Sequence, residues 1–219
     1  RIHAFGRRIN HLPQLSFLCP NGGFFYIVVY PSDMAMRLYS FLKDKSIISS
    51  DAFIVGNVVD VYYEPGSWTV RSIGVRGSKG LGDVLGASSF RKPQFSLNIG
   101  TYDINDVILI PEARDQLQKA LVADNGGTEK ATVLIGKKVV TSDLITIGTI
   151  ADIGIDLDTW RINSFKVKIE KGVAEALDVK LGLINKTVSG LLTSHISSVT
   201  DGVNLSRRVE DLRGNFTLD

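Results

Sequence analysis

The chain has 219 residues, 25 Lys and Arg against 23 Asp and Glu, and 44% hydrophobic residues, enough to bury a real core. Three of the bases and one acid lie in the first 33 positions, so the remainder is neutral and carries no electrostatic footprint for nucleic acid or acidic lipid. A single cysteine, Cys19, excludes a disulfide framework and a cysteine metal cluster.

Residues 1–35 differ in composition from the rest. The chain opens on Arg1, its first methionines are Met34 and Met36, and His3 and His11 are two of its three histidines. The segment reads as a leader, upstream sequence joined to a start at Met34 or Met36, outside the native fold. Its apolar run at 24–30 falls short of the roughly 20 residues of a membrane span. Pro20-Asn21-Gly22-Gly23 breaks it as a signal-peptide core.

A first unit follows. Residues 47–48, 53–55 and 58–63 are short runs rich in β-branched and aromatic residues, hence strands. Glu64-Pro65-Gly66-Ser67 is a turn, because Pro presets φ and Gly accepts a positive φ. Residues 68–76 return as the partner strand, with Trp68, Val70 and Ser72 on one face and Thr69, Arg71 and Ile73 on the other. The four glycines within 77–86 predict a mobile loop, and strand character resumes at 95–99 and 107–110. Pro111 opens a predicted linker helix over 111–123, which Asn125-Gly126-Gly127 ends.

The second unit copies the first. Asp51 and Asp143, Gly56 and Gly148, Asp60 and Asp152, and Trp68 and Trp160 are each 92 positions apart. Ile196-Ser197-Ser198-Val199 stands 92 after Ile104-Asn105-Asp106-Val107, which extends the repeat over the full unit. Asp156-Leu157-Asp158-Thr159 replaces the Pro-Gly turn, and Val173, Leu177 and Leu181 predict an amphipathic helix over 171–181. A closing helix is expected over 205–212. The predicted boundaries are 36–124 and 130–219.

The eight repeated residues are types that build structure. Gly56 and Gly148 suit a bulge or a positive-φ turn. Asp60 and Asp152 suit acids bonded to backbone or hydroxyl groups near the turn, the alternative being a partner contact. Trp68 and Trp160 read as core or rim plugs, and if exposed as binding hot spots. Gly80-Leu81-Gly82-Asp83-Val84-Leu85-Gly86 has the wrong spacing for a dinucleotide or phosphate loop. Asp156-x-Asp158 lacks the third donor, the Gly and the distant Glu of a calcium loop, and reads as a side-chain-capped turn. With the leader set aside, His195 is the one histidine left, and Asp103 stands at its place in the first unit. The residues therefore predict no catalytic site, no metal and no cofactor.

Ser-Ser-Asp-x-x-x-x-Gly-x-Val-x-Asp-Val, a turn and Trp-x-Val, as in residues 49–70, resembles the PRC-barrel family. Residues 142–162 match too, with Ile153 for Val, and Met36-Arg37-Leu38 is similar to small archaeal members. The Gly-rich loop of the first copy departs from that pattern. The resemblance implies a mainly β chain: two tandem small β-barrels with short helices at the linker, in the second unit and at the C-terminus. It implies a non-catalytic, cytoplasmic protein-binding adaptor, tied to archaeal cell division through the protein that anchors the tubulin-like ring. Two alternatives stay open: a ribosome-maturation or RNA-processing factor that binds a ribosomal protein, and a small-ligand-binding protein. Protein partners are expected, with no direct nucleic acid and no membrane span. The two units would pair as a homo-oligomer does, or as a pseudo-dimer within one chain.

Overall fold

The structure is a computed structural model and describes residues 5–9, 12–18, 24–28, 36–85, 94–122, 125–180 and 187–218. Cys19, residues 20–23, Met34, Gly86, Ala123 and Leu181 lie outside them. Contacts divide the chain into Arg1–Met36 and Arg37–Asp219. In the first unit, β1 (Phe5–Ile9), β2 (Leu12–Leu18) and β3 (Phe24–Val28) form an antiparallel meander with β2 in the middle.

The rest is mainly β with a few short helices. Its first half holds β4 (Met36–Leu38), α1 (Tyr39–Leu42), β5 (Ser46–Ile48), β6 (Ile54–Glu64), β7 (Thr69–Gly77), α2 (Leu81–Val84), β8 (Gln94–Asn98), β9 (Asp103–Ile104), β10 (Ile108–Leu109), α3 (Leu117–Ala120) and β11 (Leu121–Val122). Its second half holds β12 (Glu129–Lys130), β13 (Lys138–Val140), β14 (Thr146–Asp156), β15 (Arg161–Ile169), β16 (Thr187–Leu192), β17 (Ile196–Val199), β18 (Val203–Leu205) and β19 (Thr217–Leu218). Strands β5, β6 and β7 recur as β13, β14 and β15 with both ends shifted by 92. The same positions are buried in both copies: Ile47 and Val139, Val55 and Ile147, Val58 and Ile150, Ile73 and Phe165. One hydrophobic pattern thus drives one local fold twice, because period-2 burial decides which face of each strand meets the core.

The ladder does not close two separate barrels. Among the described residues each repeat is an open path, β9-β10-β5-β6-β7-β8-β11 in the first and β17-β18-β13-β14-β15-β16-β19 in the second. The two paths join through β7 and β15 into one sheet of 16 strands. The remaining two strands cross over: β4 pairs with β14, and β12 pairs with β6. Each repeat therefore lends its opening strand to the other, and a strand lent out is not there to close its own repeat.

Several sequence expectations change. The 92 offset fails beyond the long hairpin. Ile47 pairs with Ile108 and Ile108 with Ile104, whereas Val139 pairs with Val203 and Val203 with Val199. Ile104 therefore corresponds to Val199, not Ile196. Of the three residues by which the spacing grows, one enters where β15 and β16 slip register, beside Gly190 at φ +125°. The linker helix shrinks to a 3-10 turn (Arg114–Gln116) and α3, because Leu121 and Val122 pair with β8 instead. The glycine loop forms α2, which buries Leu81. The helix at 171–181 is a 3-10 turn (Lys171–Val173) that ends before Asp178 at φ +58°, with Leu177 buried. The closing helix reduces to Glu210–Leu212, since Val203–Leu205 is strand. Ile73 is buried rather than sharing a face with Arg71, because Arg71 is an extra residue of β7 between the pairs Tyr62–Ser72 and Tyr63–Val70, and this breaks the alternation.

Candidate functional site

The two tryptophans and the aspartates Asp60 and Asp152 lie at the seam where the repeats meet. At its centre, Thr69 on β7 pairs with Arg161 on β15, its own equivalent in the repeat. A residue that faces its own counterpart marks a local two-fold axis. The flanking bonds obey the same symmetry: the Val70 N–H donates to the Trp160 carbonyl at 2.7 Å, and the Ile162 N–H donates to the Trp68 carbonyl at 2.8 Å.

Both tryptophans end their turns in the left-handed region, Trp68 at φ 60° and Trp160 at φ 51°. Bulky residues rarely sit there, so the turn must over-determine them. The first turn does so with Gly66 at φ 86°, the Trp68 N–H on the Glu64 carbonyl and the Ser67 hydroxyl on the Glu64 carboxylate at 2.7 Å. In the second, Asp156 Oδ1 accepts from the backbone N–H groups of Asp158 and Thr159 at 2.9 and 3.1 Å, a side-chain-capped turn. The Trp68 ring stacks on Tyr63 and meets Phe165 of the other repeat edge-on, both at 5.6 Å. Trp160 is buried, donates from Nε1 to the Gly100 carbonyl at 3.3 Å and meets Tyr102 edge-on. Each ring thus makes a contact with the repeat it does not belong to, Trp68 in addition to its own Tyr63.

Asp60 and Asp152 hold the lent segments. Asp152 accepts from the Ser40 backbone N–H at 3.2 Å and from the Ser40 hydroxyl. Asp60 accepts from the Thr132 N–H at 3.2 Å and from its hydroxyl at 2.5 Å. Ser40 and Thr132 are also 92 apart. Each is the second residue of a short helical turn, α1 or Ala131–Leu134, whose own cap residue offers no side-chain bond. Each aspartate therefore caps a helical turn of the opposite repeat, while also accepting from its following backbone N–H, Val61 or Ile153. The expected hydroxyl and backbone bonds are present, but across the seam rather than near the turn. Sequence reasoning missed Ser40 and Thr132; the signal was two hydroxyls at the repeat spacing, ahead of the marked stretch.

Asp51 and Asp143 tie down the far ends. Asp51 accepts from the Arg114 N–H at 3.1 Å and from the Ser49 hydroxyl at 2.5 Å. Asp143 accepts from the Val209 N–H at 3.3 Å. The hydroxyls of Ser49 and Thr141 are the foremost cause holding these two carboxyls below the usual range. Of the two settings expected of Gly56 and Gly148, the bulge is the one found, and neither residue has a positive φ. They stand beside a bulge where the next strand runs close, and an added Cβ would lie 2.3 Å from the Arg76 carbonyl oxygen or 2.2 Å from that of Lys168.

His195 is not drawn into this seam. Burial, then Arg207, pushes its imidazole below the ordinary value. Among the described residues no group of three His, Cys, Asp or Glu is placed to hold a metal, and no helix is long and apolar enough to cross a membrane.

Four of the eight repeated residues, Asp60, Asp152, Trp68 and Trp160, thus join the two copies, while Asp51, Asp143, Gly56 and Gly148 shape each copy within itself. In comparison with known proteins, no family model matches the chain and no curated protein is similar to it.

Proposed function

We propose that the protein is a non-catalytic, cytoplasmic adaptor in which two PRC-barrel-like units, fused within one chain, present two similar but unequal binding faces. The observation that carries this reading is the reciprocal capping of Asp60 on Thr132 and Asp152 on Ser40. A duplicated unit that exchanges its opening segments is a homodimer made covalent, and a two-fold scaffold suits a partner that is itself oligomeric. The polar groups shared by both repeats are spent on the scaffold, so recognition falls to positions where the repeats differ.

The PRC-barrel resemblance rests on residues 49–70 and 142–162 and supports an assembly protein as partner, in the first place the membrane-anchoring component of an archaeal division ring. A ribosomal protein is the second reading, from the same resemblance. Crosslinking capture from the native cell with the intact chain separates them. Recovery of division components supports the first reading and ribosomal components the second; recovery of neither overturns the adaptor assignment. Two linked faces also predict tens-fold tighter binding to an oligomeric form of the partner than to a monomeric form. Equal affinity for both forms would show that the duplication does not serve avidity.

A further inference from the structure

The repeats differ most plainly in one row of the solvent face. Directly paired residues on neighbouring strands share a face. In the first repeat the register aligns Asp103, Leu109, Ile48 and Ile54 across β9, β10, β5 and β6. Ile47, Ile108 and Val55, their chain neighbours, are fully buried on the opposite face, so this row points outward. Ile54 is 57% exposed and Leu109 42%, with Ile48 half-buried between them. In the second repeat the same register aligns Ser198, Asn204, Val140 and Thr146. There three of the four places are polar, Val140 being the exception, and the Asn204 amide donates to the Ser198 hydroxyl at 3.0 Å. One sheet geometry thus accepts polar residues at these places, and the fold does not require Ile54 or Leu109 to be apolar. Exposed apolar side chains aligned over three strands mark a contact surface more often than chance placement does.

We propose that this row is a docking surface for an amphipathic helix of a partner protein, laid across the strands with its apolar stripe on Ile54, Ile48 and Leu109 and a Lys or Arg against Asp103. The proposal rests on the adaptor reading. Strands are about 4.8 Å apart, so the row spans about 14 Å from Ile54 to Asp103. A helix rises about 1.5 Å per residue, so positions i, i+3, i+7 and i+10 lie on one face and cover about 15 Å. The spacing therefore matches three apolar residues followed by one charged residue. The sign of that charge follows from Asp103, which stands where the second repeat has the neutral Ser198.

The test uses the full chain and two synthetic helical peptides with Leu at i, i+3 and i+7. One carries Arg at i+10 and the other Glu. The Arg peptide is expected to bind saturably and to shift amide resonances of β5, β6 and β10. I54T/L109N, which installs the residues of the second repeat, is expected to weaken it at least tenfold with an unchanged urea midpoint. D103S is expected to bring the Arg and Glu peptides within about twofold of each other. Three results would overturn the proposal: equal binding of both peptides to the unmodified chain, unchanged binding to I54T/L109N, or shifts confined to other strands. Self-association of the unmodified chain that I54T/L109N abolishes would also overturn it, because the row would then be a contact between copies. Cell capture separates the two levels of inference. If I54T/L109N still captures the partners that the unmodified chain captures, the surface is wrong and the adaptor reading stands. If neither protein captures a division or ribosomal component, the adaptor reading falls.

Discussion

The exchange of opening segments can be tested by double-mutant cycles. Asp152 is 9% exposed and accepts two bonds from Ser40 and one from the Ile153 N–H. Asp152→Ala removes a charged acceptor and leaves these donors short of partners. A lost helix cap costs about 0.5–2 kcal/mol, and a hydrogen bond to a charged group about 1.5–3. Together they predict a loss of about 2–4 kcal/mol for Asp152→Ala, and about the same for Asp60→Ala at 5% exposure. Ser40→Ala and Thr132→Ala remove only the hydroxyl bond, for about 1 kcal/mol each. At the roughly 2–4 °C per kcal/mol of a chain this size, the aspartate variants should melt about 4–16 °C lower. The pattern of coupling is more telling than the sizes. Asp152 should couple to Ser40, and Asp60 to Thr132, by about 1 kcal/mol, while Asp152 with Thr132 and Asp60 with Ser40 should add to within about 0.5 kcal/mol. Urea unfolding of the single and double variants measures all four cycles. Coupling within each repeat, Asp60 with Ser40 and Asp152 with Thr132, would refute the exchange.

Two further outcomes follow from the geometry. Gly56→Ala and Gly148→Ala each push a Cβ into a strand carbonyl and should cost about 1–3 kcal/mol, whereas Gly172→Ala, with open space around it, should be near neutral in the same melts; equal tolerance at all three sites would sink the close-approach argument. Burial above all raises the phenols of Tyr39, Tyr63 and Tyr102 from 10.0, with Asp60, Glu129 and Glu112 respectively adding to it, and Tyr102 is pushed up to about 12. The folded state then keeps protons that the unfolded state releases, so stability is complete below pH 10 and falls as pH rises from 10 past 12. Melts taken from pH 8 to 12 beside a phenolate absorbance titration check this, and a flat stability profile with all tyrosines ionising near 10 would contradict it.

The sequence made the repeated hairpin legible because its information is local. Strand alternation, the turn chemistry of Gly66 and Asp156 and the fixed spacing of Asp60 and Asp152 all act within a few residues of themselves. The offset misled past the long hairpin: Thr187 already stands opposite Lys168 where Gln94 stands opposite Arg76, and a further slip follows at Gly190. The glycines were legible as constraints, but their cause was not: the nearness of Arg76 and Lys168 belongs to the neighbouring strand. Helix length was over-read at 111–123 and 205–212, where strand pairing overrode propensity.

What no local pattern could reveal is which repeat receives each opening strand. In a symmetric pair, Ser40 offers the same bond to Asp60 as to Asp152, and the choice depends on where the chain between the repeats can reach. That degeneracy has a consequence for function. Residues that serve the exchange must match in both copies, because each copy is donor and acceptor at once; Asp60 cannot drift without Thr132, nor Asp152 without Ser40. Outward rows carry no such constraint, since Ile54 and Thr146 each pair with a strand neighbour of their own repeat, Ile48 and Val140. Duplication inside one chain thus splits the surface into a part held alike by the fold and a part free to diverge. Function in such a protein is to be sought where the copies disagree, and the row from Asp103 to Ile54 is where they disagree in both hydrophobicity and charge.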